Sequence, residues 1–206
     1  MLRKIFGTLI ILALMILPNI CGATQIQSQN YKGDFQFVYP EVKIEDRIIE
    51  GRINEKIREE VKEFFSSVRE PYPSASASMS YEITCDKNNI LSIVLTEYVY
   101  YQGAAHPLTF KHALNFDVRS GKLIGVGGLQ KISRKYATEN YSPKGITKKL
   151  KTYAKRNRIF LYDSFKELEN FPENFYFDEN LHLHVIFQQY EVAPYAVGII
   201  DLDTDL

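Results

Sequence analysis

Two stretches of the sequence place polar and aromatic residues at spacings that could support binding or proton transfer. The first, YYQGAAHPLTF, carries His106 directly before a proline, which favours an extended backbone at the histidine. The second, FQQYEVAPYAVG, follows a run that alternates like a β-strand. Imidazole, carboxylate and phenol groups donate, accept or transfer protons. The candidate site therefore consists of His106, Tyr190, Glu191 and Tyr195.

We expect these two stretches to meet in the fold. Proline cannot donate to a central strand ladder, so Pro194 is predicted to end the strand and turn the chain. Small residues in both stretches permit close approach of the backbones, and the turn would bring the candidate residues to the crossover at residues 103–106. Two interpretations stay open. Glu191 either locks a buried polar corner or forms part of the wall of a ligand site.

Other chemistries receive less support from the sequence. His182 and His184 are two residues apart in LHLHV, so they share one face of a strand, and the alternation predicts that this face points to solvent. We therefore expect no metal. Glu191, with Glu97 as a more distant second, could act as paired carboxylates on a glycan only if the fold brought them together. The sequence contains no nucleophile elbow and no phosphate-binding loop, so no catalytic residue and no cofactor are predicted.

The first 23 residues have the pattern of a secretory signal peptide. Arg3 and Lys4 precede an apolar run that is too short to cross a bilayer comfortably, and CGA at residues 21–23 provides a cleavage site. We expect an exported protein of the periplasm or cell surface, held at the membrane only if this leader is retained. Cleavage would leave Cys85 as the single cysteine, so no internal disulfide is expected. The 25 basic and 25 acidic residues balance, which gives no reason to expect nucleic acid as a partner.

The patterning predicts an α+β fold with antiparallel hairpins in one or two sheets packed against two or three helices. Apolar residues recur every three or four positions from Ile48 to Phe65, which indicates an amphipathic helix, and a second, basic helix is predicted from Ile146 to Asn157. A short third helix is predicted over residues 162–168. Polar turns DKNN, SG and EN separate alternating runs and indicate three hairpins. We expect an N-terminal module over 24–103 and a C-terminal module over 104–206, intertwined with the first.

Two long segments carry a family resemblance. YYQGAAHPLTFKHALNFDVRSGKLIGVGGL and NFYFDENLHLHVIFQQYEVAPYAVGI resemble a bacterial extracytoplasmic family of unknown function, and the preceding segment is similar to the module that usually accompanies it. The same modules form the outer part of RsiV-type anti-sigma factors, which bind lysozyme, and the N-terminal part of PdaC-type peptidoglycan deacetylases. The resemblance implies an α+β fold with antiparallel sheets and packed helices.

This resemblance sets the functional expectation. Only four residues precede the apolar run and none follows residue 206, so we expect the bare exported module without a sigma-factor-binding or deacetylase part. The predicted function is a non-catalytic binding module of the cell envelope, with a wall glycan or a lysozyme-like protein as ligand. The alternative is an enzyme or accessory factor that acts on peptidoglycan.

Overall fold

The fold is described from a computed structural model that covers residues 24–31, 35–69 and 75–205. The predicted signal peptide at 1–23 lies outside these residues. The helices are α1 Arg47–Arg69, α2 Leu129–Ile132 and α3 Pro143–Asn157, with short 3-10 turns around α2 and after Pro194. The strands are β1 Gln25–Asn30, β2 Gln36–Lys43, β3 Ala75–Lys87, β4 Ile90–Tyr101, β5 Leu108–Asp117, β6 Lys122–Leu123, β7 Phe175–Phe177, β8 Leu183–Phe187 and β9 Ile200–Asp203.

The predicted α+β class is confirmed. Strands β1 to β6 form one sheet in sequential order, and β7 to β9 form a second, three-stranded antiparallel sheet. The first sheet is antiparallel except for β2 and β3, which pair in parallel because α1 connects them. Strand β2 passes through Pro40 and continues to Lys43.

Helix α1 begins and packs as its sequence dictates. The Asp46 carboxylate accepts hydrogen bonds from the backbone N–H groups of Ile48 and Ile49, which caps the helix. Its apolar stripe, predicted from the three-and-four spacing, is buried against one face of the first sheet. The buried residues of this stripe are Ile53, Ile57, Val61, Phe64 and Val68.

The β3–β4 hairpin follows the prediction from DKNN. Asn88 and Asn89 both have positive φ, 54° and 64°, which matches the tight turn that joins twisted antiparallel strands. A bulge between Ile83 and Cys85 shifts the register near the turn. Cys85 therefore leaves the α1 side and joins the apolar cluster of the C-terminal layer, where it is 2% exposed. Burial raises the pKa of its thiol.

The C-terminal layer consists of α3 and the second sheet. Ser142 caps α3 by accepting the N–H of Gly145, and Pro143 occupies the first turn. The predicted basic helix is thus confirmed, and its apolar side packs with Phe175 and Phe177. The predicted third helix at 162–168 is wrong: the backbone there is irregular, and the Tyr162 N–H donates to the Val192 carbonyl, which ties this segment to the loop after β8.

The second sheet docks on the side of the first sheet that faces away from α1. Ser92 and Asn115, both buried, hydrogen-bond each other, and Asn115 donates to the Phe175 carbonyl while the Phe177 N–H donates to Ser92. The predicted module division at residue 103 falls in the β4–β5 connection, and the pairing of β4 with β5 crosses it.

Candidate functional site

The chain turns earlier than the sequence predicts. Strand β8 ends at Phe187, so Pro194 does not end it; Pro194 instead precedes the 3-10 turn Tyr195–Val197. The reversal occurs at residues 188–191, where Tyr190 has a φ of 66°. The Glu191 carboxylate accepts the backbone N–H of Gln188 at 2.7 Å and holds this turn. Partial burial raises the pKa of Glu191, and the Gln188 hydrogen bond opposes that rise.

His106 and the two tyrosines of the second stretch lie together. The His106 ring stacks on Tyr195 with ring centroids 3.7 Å apart, and the Tyr190 hydroxyl lies 2.9 Å from His106 Nε2. The Pro107 carbonyl lies 3.0 Å from His106 Nδ1 and accepts the Tyr195 hydroxyl at 2.9 Å. These contacts are all satisfied when Nδ1 carries the proton and Tyr190 donates to Nε2. Among the described residues, Glu191 makes no hydrogen bond to this cluster, which we call the aromatic corner (His106, Tyr190, Tyr195).

A set of amide contacts that was not predicted from the sequence lies beside this corner. Beyond Phe116 and Asp117, which pair with β6, no other described strand pairs with this edge of β5, and side-chain amides satisfy its backbone N–H and carbonyl groups. The Gln188 amide accepts from Lys111 N at 3.1 Å and donates to Lys111 O at 2.6 Å, while Gln189 accepts from Thr109 N. Asn174 accepts from Ala113 N and donates to Lys111 O. We call Gln188, Gln189 and Asn174 the amide latch. The QQ pair before the turn was the signal available in the sequence.

An open face continues from the aromatic corner across the first sheet. Residues that pair directly in antiparallel strands share a face, so Thr109, Tyr98 and Ser78 lie side by side on the face away from α1. The C-terminal layer covers the part of this face around Val94 but leaves Tyr98 37% exposed. We call this surface the tyrosine face. Its members on the sheet are Ser76, Ser78, Ser80, Thr96, Tyr98, Tyr100 and Thr109.

Of the two histidines predicted to face solvent, His182 has an exposed side chain and His184 does not. Leu181 has a φ of 62°, so regular alternation starts only at Leu183, and the second face of β8 packs toward the first sheet. The prediction that His184 points to solvent is therefore wrong: its side chain is 17% exposed and stacks on Tyr176. His182 keeps a 40% exposed side chain.

His184 belongs to a cluster rich in carboxylates. Its Nδ1 lies 3.0 Å from Asp201, which also accepts the Tyr176 hydroxyl. Its Nε2 is buried 3.7 Å from Asp178 and makes no hydrogen bond to any residue that the structure describes. Burial disfavours the charged imidazole, but the Asp201 hydrogen bond and the charges of Asp201, Asp203 and Asp178 outweigh it and raise the pKa of His184.

The two carboxylates considered for paired chemistry are not neighbours on one surface. Glu97 lies on the α1 face of β4, where its carboxylate is 3.3 Å from His112 Nε2. The hydrogen bond to Glu97 raises the pKa of His112. Glu191 lies at the turn after β8, beside the opposite face of the same sheet. This placement gives no support to a glycosidase-like pair.

Family models match both halves of the chain. Residues 26–109 match the model described as deacetylase PdaC, and residues 123–203 match the model described as protein of unknown function (DUF3298). The chain joins a PdaC-like module to a DUF3298 domain. This confirms the family resemblance found in the sequence. His106 lies in the PdaC-like module and Tyr190 and Tyr195 lie in the DUF3298 domain, so the aromatic corner connects the two.

Solved structures of the DUF3298 family have the same fold. A family member from Bacteroides fragilis matches with a TM-score of 0.54 and 15% identity, and the match covers 87% of each chain. A family protein from Pseudomonas aeruginosa matches with a TM-score of 0.52 and 12% identity over 88% of this chain and 89% of that one. A search of curated proteins finds no match. Over the described ranges, no helix has the length and apolar character needed to span a membrane.

Proposed function

We propose that this PdaC–DUF3298 chain is an exported, non-catalytic binding module of the bacterial cell envelope, and that its tyrosine face binds wall glycan. The observation that carries the proposal is that two exposed tyrosines, Tyr98 on the sheet and Tyr190 at the corner, are linked through Thr109, which pairs with Tyr98 and donates its N–H to Gln189. The PdaC-like match supports a role at the envelope, because that model is named for a deacetylase and the resemblance noted in the sequence is to the module that precedes peptidoglycan deacetylase domains.

The chemistry of the tyrosine face suits a sugar polymer. A tyrosine presents an apolar ring that can stack on the apolar face of a sugar and a hydroxyl that can exchange hydrogen bonds with it. In the register of β3 and β4, the exposed Ser76 lies opposite Tyr100 and the exposed Ser80 lies opposite Thr96, which adds short hydroxyl groups along the same line. The face lies on paired strands, so its spacing is fixed before a ligand arrives.

The aromatic corner is built for contact rather than for proton transfer. General acid–base catalysis needs a group free to exchange a proton with the substrate. Both His106 nitrogens lie within hydrogen-bonding distance of neutral oxygen atoms of Tyr190 and Pro107, and the Glu191 carboxylate holds a backbone N–H. The histidine therefore orients Tyr190 while the tyrosine keeps its ring at the surface.

Binding of purified peptidoglycan and of chitotetraose to the mature protein tests the proposal. If each tyrosine contributes about 1 kcal/mol, Tyr98→Ala combined with Tyr190→Ala weakens binding about thirtyfold. Phe160→Ala is the matched control, because Phe160 is an aromatic residue 83% exposed outside the tyrosine face. Unchanged binding in the double variant, or equal loss in the control, would show that the face does not bind glycan.

Two further arms separate the alternatives. If the wild-type protein captures lysozyme and retains no glycan, the ligand is a protein and the glycan proposal is wrong. Turnover of muropeptides by the wild-type protein would favour the enzyme alternative. The expected result is retention of glycan without turnover.

A further inference from the structure

A cleft lies on a part of the chain that is far in sequence from the tyrosine face. Helix α3 and strand β9 border a cleft of about 590 Å³, with Tyr176 and His184 also in its lining. This volume falls within the range of small-ligand sites, about 300 to 1,000 Å³. None of the contacts of the aromatic corner or the amide latch involves this cleft.

The helix wall of the cleft carries two cationic side chains that have no partner among the described residues, and the Thr152 hydroxyl between them donates to the Lys148 carbonyl. Lys148, Thr152 and Arg156 are spaced by four residues, so they line one side of α3. Within the described ranges, the side chains of Lys148 and Arg156 form no hydrogen bond or ion pair. Tyr153 packs on the apolar cluster of the C-terminal layer and adds a hydroxyl that makes no hydrogen bond among the same residues.

The carboxylates on the opposite wall already have hydrogen-bond or ion-pair partners within the protein. Asp201 accepts hydrogen bonds from Tyr176 and His184, and Asp203 accepts the backbone N–H of Asp205 and lies 3.7 Å from His182. The polar groups of the cleft that remain without a partner are therefore cationic hydrogen-bond donors, and these favour an anionic ligand group. Arg156 can hold a carboxylate or phosphate with two parallel hydrogen bonds, while Lys148 acts as a point charge.

We propose that this cleft binds an anionic group of the wall polymer, either the carboxylates of a stem peptide or the phosphate of an associated polyanion. The proposal rests on the proposed function, because an envelope ligand brings such groups next to its glycan. The tyrosine face would then hold the sugar chain, and the cleft between α3 and β9 would hold its charged substituents.

Titration of the full mature protein with two probes tests this assignment. The probes are the stem peptide L-alanyl-γ-D-glutamyl-L-lysyl-D-alanine and a glycerol phosphate oligomer, followed by calorimetry at low and high salt. The double variant Lys148→Ala with Arg156→Ala removes two charge-assisted donors. It is expected to weaken the binding of at least one of the two probes about tenfold. Tyr153→Phe, which removes only the hydroxyl, is expected to weaken it by a smaller factor, and added salt should weaken it in the wild type.

A matched control is available on the other helix. Arg58 and Lys62 are exposed on α1, so Arg58→Ala with Lys62→Ala makes the same change in charge away from the cleft. Peptide binding that is lost only in the α3 variant supports a stem-peptide site, and oligomer binding lost only there supports a phosphate site. Equal losses in both variants, or no binding of either probe to the wild type, would overturn the proposal. Chitotetraose is titrated separately: its failure to bind would refute the tyrosine face and leave the result at the cleft unaffected.

Discussion

Replacement of Gln188 by alanine should destabilise the protein more than replacement of its neighbour Gln189, although the two side chains are chemically identical. Gln188 makes two hydrogen bonds to Lys111, at 3.1 Å and 2.6 Å, whereas Gln189 makes one bond to Thr109. A typical hydrogen bond contributes about 1 kcal/mol net to stability. We therefore expect a loss of about 2 kcal/mol for Gln188→Ala and about 1 kcal/mol for Gln189→Ala.

The amide latch also predicts a specific non-additivity. The Lys111 carbonyl accepts from both Gln188 and Asn174, so either single variant leaves it one donor. Only the double variant Gln188→Ala with Asn174→Ala leaves this carbonyl without its amide donors. The double variant should therefore lose about 1 kcal/mol more than the sum of the two single variants.

Equilibrium unfolding in urea measures these differences. The midpoint should shift while the slope of free energy against denaturant stays constant, since the surface exposed on unfolding hardly changes. A loss below about 0.5 kcal/mol for Gln188→Ala, or strict additivity with Asn174→Ala, would mean that water replaces the amides at the β5 edge and that the latch contributes no stability.

Two further predictions concern the titratable groups of the C-terminal layer. The pKa of His184 is raised in the folded state, so its contribution to stability is complete below its unfolded pKa of about 6.5 and declines as the pH rises through the folded value. In thermal melts, the melting temperature of the wild type should exceed that of His184→Gln at acidic pH, and this difference should shrink as the pH rises. A difference that grows with pH would contradict this. Glu191→Ala should lose about 1 kcal/mol by removing the acceptor of the Gln188 N–H, whereas Glu191→Gln keeps an acceptor and should stay near the wild type in the same urea assay. Equal losses in the two Glu191 variants would assign the effect to the charge instead.

Local signals in the sequence predicted much of this fold because local physics determines those parts. The period of α1 and the paired asparagines at 88–89 each specify a structure within a few residues, and both predictions are confirmed. The meeting of His106 with Tyr190 and Tyr195 was expected from the sequence, and the side chains do lie in contact, but the turn that brings them together is at residues 188–191 rather than at Pro194.

The parts that could not be predicted depend on the packing of one layer against another. His184 looked like a solvent-facing residue because LHLHV alternates, but the second face of β8 is covered by the first sheet, which lies far away in sequence. The left-handed backbone at Leu181 and Tyr190 also could not be predicted, since neither residue type favours that conformation. The role of Gln188 required knowledge of which strand edge would remain unpaired.

The bulge that turns Cys85 toward the C-terminal layer makes this thiol a probe of local opening in that layer. It shares an apolar cluster with Phe177 and Leu183, and its accessible surface is nearly zero. An alkylating reagent can reach the sulfur only when the packing around it opens, so the rate of modification measures how often this apolar cluster becomes exposed. In an oxidising compartment the same burial prevents cross-linking between molecules, because two copies can join through Cys85 only when both have opened.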